Sequence, residues 1–321
     1  MSLRRSMAML LSTLLIVGCE GAGSVSAPTS YPAKSTPGTL ALTVPEIDPL
    51  GTIDGGTEPF DAPYGVDVGL DGRVYVFDTN NQRVRVFGGD LKPLFSWGGQ
   101  GDGPGEFQSL GFGGLAIDPD GNVFVVDNGN FRLQKFDPEG NFILAFGEEG
   151  EGSGRFTRAI GVAADSDGNV YVTDDSVPYV QIFDNQGEFL RQFGGEGDGP
   201  GRFQHATGIT VNSAGGILVA DYTLKRVQAF DNAGAVVREW EIGHDLPFPG
   251  TPEGLAVDSA GRIYVTDYDQ GRVEIDTAQG EFLTSFGEDV FKSPVDIAIG
   301  PGGIVYVTDQ RTGKVEAFRI Q

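Results

Sequence analysis

Residues 65–78 read GVDVGLDGRVYVFD. Residues 65–68 form a short apolar-and-polar strand pattern. Asp71-Gly72 supplies a pair that tolerates the backbone angles of a tight hairpin. Residues 74–77 are β-branched and aromatic, as strands prefer. The stretch therefore reads as a β-hairpin. It returns as GLAIDPDGNVFVVD from Gly114, GVAADSDGNVYVTD from Gly161, GITVNSAGGILVAD from Gly208, GLAVDSAGRIYVTD from Gly254 and DIAIGPGGIVYVTD from Asp296. The starts lie 49, 47, 47, 46 and 42 residues apart, and the closing aspartates Asp78, Asp127, Asp174, Asp221, Asp267 and Asp309 keep those spacings. The hairpin thus has a fixed length, and the variation lies between hairpins.

Outward from each hairpin come two more strand signals. A third strand of RVRVF type follows at 83–87, 132–136, 180–183, 226–230, 272–275 and 314–318, and a fourth of EFLRQFG type at 142–147, 189–194 and 282–287. Four antiparallel strands (a to d) repeated every 40–50 residues are the signature of a propeller blade. No segment carries a long 3.6-residue apolar period, so helix content should be near zero. The fold class expected is all-β, a six-bladed propeller. Its last copy stops after strand c, whereas residues 48–56, DPLGTIDGG, match the missing turn and strand d. An N-terminal strand should therefore complete blade six and remove an open edge.

These repeats resemble the NHL family, and the chain from about residue 39 resembles bacterial six-bladed propellers of that kind. The hairpins carry the resemblance, together with the D-x-x-N-x-R-type stretches at 78–84 and 127–133 and the spacers GDGPGEF (101–107) and GDGPGRF (197–203). The family includes lyases, hydrolase-like enzymes, protein-binding modules and RNA-binding modules, so the resemblance implies the fold and leaves the function open.

The N-terminus reads as a targeting segment. Arg4 and Arg5 precede a twelve-residue uncharged apolar run, 6–17, which at ~1.5 Å per residue is too short for a bilayer core. A signal peptide is expected over 1–18. Ile16-Val17-Gly18-Cys19 resembles a bacterial lipobox, which implies cleavage after Gly18 and lipidation of Cys19, the only cysteine. Multiple acyl chains would then anchor the protein firmly. Residues 19–38, rich in Gly, Ser, Ala and Pro, should form a flexible tether, with the propeller over 39–321. Glu20 after the cysteine resembles the pattern exported to the outer membrane where the source is diderm. The expected address is the extracytoplasmic face of a bacterial envelope, with membrane contact through the N-terminal lipid alone.

Composition narrows the chemistry. Twenty-two Lys and Arg against 45 Asp and Glu give a net charge of −23 over 321 residues, and loss of the two leader arginines takes it to −25. Such a chain repels nucleic acid backbones, so no nucleic acid partner is expected. One Cys and two His exclude cysteine-rich metal clusters and a three-histidine site within one chain. No nucleophile elbow, phosphate loop or dinucleotide fingerprint is present. The run Asp165-Ser166-Asp167-Gly168-Asn169 lacks the late acidic ligand of a calcium loop and reads as a hairpin turn.

Strand a should line the central channel. The b–c and d–a loops then share one face, and the d–a loops carry nearly all the length variation, so a ligand site is expected there. Candidate contacts on that face are Asn81, Asn130, Tyr179, His205, Tyr222, Glu253, Tyr268 and Arg311. By contrast, a pattern kept in every blade argues for structure. Asp78 with Arg83, Asp127 with Arg132, Asp221 with Arg226, Asp267 with Arg272 and Asp309 with Lys314 are expected to form recurrent pairs. Asp174 lacks a basic partner because Pro178-Tyr179 breaks the pattern. No catalytic residue, metal ligand or cofactor is assigned. The expectation is a non-catalytic, monomeric binding or scaffolding propeller for a protein, peptide or glycan. The alternative is a metal-dependent lyase or lactone hydrolase at the channel mouth, with Asp67, Asp296, Glu253 and His205 as candidates and a divalent metal as cofactor.

Overall fold

The computed structural model describes residues 44–321. The expected signal peptide, Cys19, the tether and residues 39–43 lie outside the described residues. Six antiparallel four-stranded sheets follow one another, each in the order a-b-c-d. The only helical element among the described residues is a 3₁₀ turn, Asn128–Asn130. The a strands are Pro63–Val68, Leu115–Ile117, Ala159–Ala164, Ala206–Val211, Pro252–Val257 and Pro294–Gly300. In blade six the outer strand is Ile47–Ile53, paired antiparallel with Lys314–Ile320 from Ile47 opposite Ile320 to Ile53 opposite Val315. The N-terminal strand expected from 48–56 thus closes the ring.

Why neighbouring blades adhere is written in the spacers. Phe107, Phe156 and Phe203 close the GDGPGEF-type spacers within the d–a loops, and Phe291 takes the same place before blade six. All four are buried between blades. Phe107 packs its ring 5.1 Å from Phe77 in the preceding blade and 5.8 Å from Phe136 in its own. Phe156, Phe203 and Phe291 repeat the second contact with Phe183, Phe230 and Phe318 at 5.7–5.8 Å. In blade two, Gln134 fixes the loop's backbone: it accepts a hydrogen bond from Gly105 N–H and donates one to the Glu106 carbonyl. Gln181 and Gln228 do the same in blades three and four.

The closing aspartates are buried and hold loops to blades. Asp174 accepts backbone N–H groups from Thr157 and Arg158 of the incoming loop and from Ser176 and Val177 of the b–c turn. Asp221 and Asp309 do likewise. The expected basic partner is present in blades one, two and five, where Arg83, Arg132 and Arg272 lie 3.2, 2.8 and 3.6 Å from Asp78, Asp127 and Asp267. It is absent elsewhere. Arg226 turns to Glu239 and to the carbonyls of Gly199 and Arg202, and Lys314 is exposed with no ion pair to Asp309. The recurrent requirement is therefore a carboxylate that satisfies buried N–H groups of an irregular loop. The arginine is an accessory to it. Asp165 likewise closes its hairpin, accepting N–H groups from Asp167 and Asn169.

The inner strands pack closely enough to bond sideways. Thr308 donates to the carbonyl of Tyr64 at 2.6 Å and Thr266 to that of Val295 at 3.3 Å, across the blade boundary. Asp67 and Asp296 do the same from their side chains, accepting the N–H groups of Ile117 and Val66 at 2.8 and 3.0 Å. At the glycine that opens each of the first five hairpins, backbones nearly touch: a Cβ on Gly161 would lie 2.3 Å from the Thr207 carbonyl oxygen. Cavities lie on either side of this ring of inner strands.

Candidate functional site

The mouth on the b–c and d–a side opens into a cavity of about 600 Å³. Three registers of the repeat build it. The residue preceding the one that opens each hairpin (a glycine, or Asp296 in blade six) forms the floor, contributing Tyr64, Ile160, Thr207, Glu253 and Val295. The residue following the strand-b aspartate forms one wall, with Asp175, Tyr222, Tyr268 and Gln310. The third residue before the glycine supplies Arg158 and His205 from the d–a loops, and Phe112 joins them. The periodicity that makes the fold thus also aims side chains of several blades, at each level, toward the axis.

Glu253 is the most unusual member. It is 7% exposed, and its Oε1 accepts the hydroxyl of Tyr64. Its Oε2 is buried with no hydrogen-bond partner. Burial pushes the Glu253 carboxyl up to about 8, reinforced by the negative charges of Asp175 and Asp296 and opposed by the Tyr64 hydroxyl and Lys225. Burial, and then Glu253 itself, raises the Tyr64 phenol well above its ordinary value. Asp175 and Arg158 form a bidentate pair at the wall, with the Arg158 guanidinium 5.6 Å from the Phe112 ring. His205 Nδ1 lies 2.7 Å from Thr223 Oγ1. Tyr222 and Tyr268 meet edge to face at 6.1 Å. Lys225 Nζ sits 4.8 Å from the Tyr222 ring and bonds to Thr251 and Asp269.

Of the residues expected on this face, the structure brings His205, Tyr222, Glu253 and Tyr268 together in the cavity. Asn81 and Asn130 are instead held inside their own turns, donating to Asp78 and Asp127 and to the carbonyls of Pro59 and Gly101. Tyr179 begins strand c of blade three opposite Gly194. Arg311 is an exposed turn residue. The expectation thus omitted Tyr64 from the floor and Arg158 from the wall. The floor register was legible: Tyr64 and Glu253 stand at one repeat position, and only they carry large polar groups there. Arg158 shares a register with His205, three residues before the glycine, and was legible in the same way.

The donors expected for a divalent metal do not converge. Asp67 and Asp296 line the opposite, smaller mouth of about 170 Å³, and their carboxylates hold backbone N–H groups. Burial raises Asp67 to about 6 and Asp296 to about 7. Among the described residues no three His, Cys, Asp or Glu side chains group so as to hold a metal ion.

Comparison with known proteins agrees with the architecture. The sequence profile of the NHL repeat matches residues 113–136 and 250–275, and that of the DUF5128 domain, described as a 6-bladed β-propeller, matches 157–246. No curated protein sequence matches the chain. Among solved structures, virginiamycin B lyase from Staphylococcus aureus is similar with a TM-score of 0.59 at 13% identity, over 86% of this chain and 98% of that one. A gluconolactonase from Xanthomonas campestris is similar at 0.62 and 14%, over 82% and 87%. A protein of unknown function from Bacteroides thetaiotaomicron is similar at 0.63 and 16%, over 85% and 73%. At these identities the likeness is one of fold.

Proposed function

Because this chain is a six-bladed β-propeller carrying NHL repeats, we propose that its work is done by the b–c and d–a face, as a binding propeller that receives a compact segment of a peptide or glycan in the axial cavity. The observation that carries the reading is a cavity of about 600 Å³ whose lining combines four aromatic side chains, Tyr64, Phe112, Tyr222 and Tyr268, with one buried carboxyl oxygen that nothing in the protein satisfies. Pockets that hold small ligands combine apolar walls with a few polar groups in this way. A screen of peptides and oligosaccharides by ligand-observed NMR tests it. Tyr222→Ala and Tyr268→Ala should each weaken a hit at least about tenfold, since aromatic anchors dominate such sites. Binding unchanged in both variants would place the ligand elsewhere.

A second reading is a lyase or lactone hydrolase at the same cavity. The buried Glu253–Tyr64 pair favours it, since a carboxyl raised toward neutrality suits proton transfer. Turnover of a lactone or a streptogramin B, with and without added divalent metal, decides it; turnover lost in Glu253→Gln would replace the binding reading.

We place this activity at the bacterial envelope on the strength of the leader and lipobox-like sequence. Cys19→Ser should move the protein from the membrane to the soluble fraction and abolish labelling by radioactive palmitate. A membrane fraction that keeps the variant would remove the lipid anchor from the account.

A further inference from the structure

Resting on the binding reading above, we infer that the group received by the cavity is an organic ammonium, held by the carboxylate of Glu253 within the surrounding aromatic rings. Three observations converge on this chemistry. Glu253 Oε2 is buried at the cavity floor with no donor. The cations around the cavity are committed elsewhere: Arg158 to Asp175 in a bidentate pair, and Lys225 to Asp269 and Thr251. The walls are aromatic, and two of those rings already carry cations, Lys225 by Tyr222 and Arg158 by Phe112. Aromatic faces attract cations, most strongly where water is displaced. An anionic ligand would meet Asp175, Glu253 and a chain of net charge −23; a neutral one would pair with the protonated carboxyl and leave the ionised one without a counter-charge. A cation satisfies both.

Ammonium binding has a pH signature. In the empty cavity Glu253 holds its proton to about pH 8, so a cation must displace that proton, and affinity should rise with pH. The groups around Glu253 are Tyr64 from the inner strand of blade one, Asp175, Tyr222, Lys225 and Tyr268 from the b–c turns, and Arg158 and His205 from the loops, while Asp296, at the opposite mouth, acts on it through its charge. Asp296, raised to about 7, ionises in the same window and acts in the same direction. His205→Asn, run in parallel, removes the imidazole from the profile.

The test uses a probe whose charge does not titrate. Choline, an ammonium, and 3,3-dimethyl-1-butanol, its uncharged isostere, are titrated into the purified protein by calorimetry at pH 6 and pH 9. The expected result is choline binding at least about tenfold tighter at pH 9, no comparable binding of the alcohol, and loss of choline binding in Glu253→Gln. Nα-acetyl-lysine amide against Nα-acetyl-norleucine amide, and glucosamine against N-acetylglucosamine, then separate a peptide source of the ammonium from a sugar source. Equal binding of choline and the alcohol, a flat pH profile, or full binding by the variant overturns the inference. The pH profile needs no substitution, so it stands if Glu253→Gln fails to fold. If neutral peptides or glycans bind in a Tyr222-dependent manner while choline does not, the charge assignment falls and the cavity reading survives. If neither binds, both fall.

Discussion

Replacing Gly208 by alanine should destabilise the protein by more than about 3 kcal/mol, or roughly 6 °C in Tm at ~2 °C per kcal/mol for a domain of this size. A single methyl group rarely matters this much. Here the added Cβ would sit 2.0 Å from the Glu253 carbonyl oxygen and 3.0 Å from the Gly254 Cα, both on the inner strand of the next blade. The obstacle is backbone, so no rotamer change relieves it, and the ring must widen between blades four and five. Widening strains every blade, because the N-terminal strand has locked blade six shut. Gly72→Ala is the control. That glycine has φ +80° and open space around its Cβ position, so the change costs only the left-handed strain of about 1–2 kcal/mol. Chemical denaturation of both variants checks the contrast. A Gly208→Ala protein as stable as Gly72→Ala would mean that the inner ring is wider than described. Because the clash falls on the residue that forms the cavity floor, ligand binding should weaken in Gly208→Ala and not in Gly72→Ala.

The contrast also shows what a repeat sequence discloses. Six hairpins in one register fixed the blade count, and the orphan strand at 48–56 fixed the closure, because strand d of blade six has no other source within the repeats. The glycine that opens the first five hairpins was equally visible, yet its purpose was not: it serves contact between neighbouring blades, which no single repeat contains. The same limit applies to the site. Glu253, Tyr222 and Tyr268 stand where the repeat aims side chains at the axis. Asn81 and Asn130 look equally functional in sequence, but their turns consume them. Whether an asparagine in a b–c turn faces the cavity or its own aspartate is set by a hydrogen bond within the turn, and the one-dimensional pattern does not resolve it. The expected Asp221–Arg226 and Asp309–Lys314 pairs of blades four and six fail for a related reason. The aspartate is needed by backbone N–H groups, whereas the arginine can choose among several carbonyls and acids.

Stability should fall as pH rises from 5.5 to 9, by an amount on the order of 10 °C in Tm. Burial raises the carboxyls of Asp67 to about 6, Asp296 to about 7 and Glu253 to about 8, and raises Glu274 and Asp276 as a pair. In the unfolded chain each would ionise near its ordinary value, close to 4. Between pH 4 and 8 the folded protein therefore binds more protons than the unfolded one, and stability declines with every proton lost. Each unit of displacement corresponds to ~1.4 kcal/mol at most. The lowered carboxyls, such as Asp137 and Asp245, act oppositely, but their contribution is lost only in acid, as pH falls through their folded values. Surface repulsion from the net charge of −23 adds to the alkaline decline and is screened by salt, whereas the buried part is not. Thermal unfolding at both pH values in 0.1 and 1 M NaCl separates the two, and a Tm that is flat or rises with pH would show that these carboxyls are ionised in the folded state. Glu274→Gln sharpens the test. Gln134, Gln181 and Gln228 occupy the same position in blades two to four and hold the spacer loop with both ends of the amide. Glu274 accepts the Gly243 N–H and an Arg272 contact, but its second oxygen is buried without a partner beside Asp276. The glutamine variant should therefore raise Tm by several degrees at pH 9 and change it little at pH 5.5, where Glu274 already carries the proton that makes it resemble an amide.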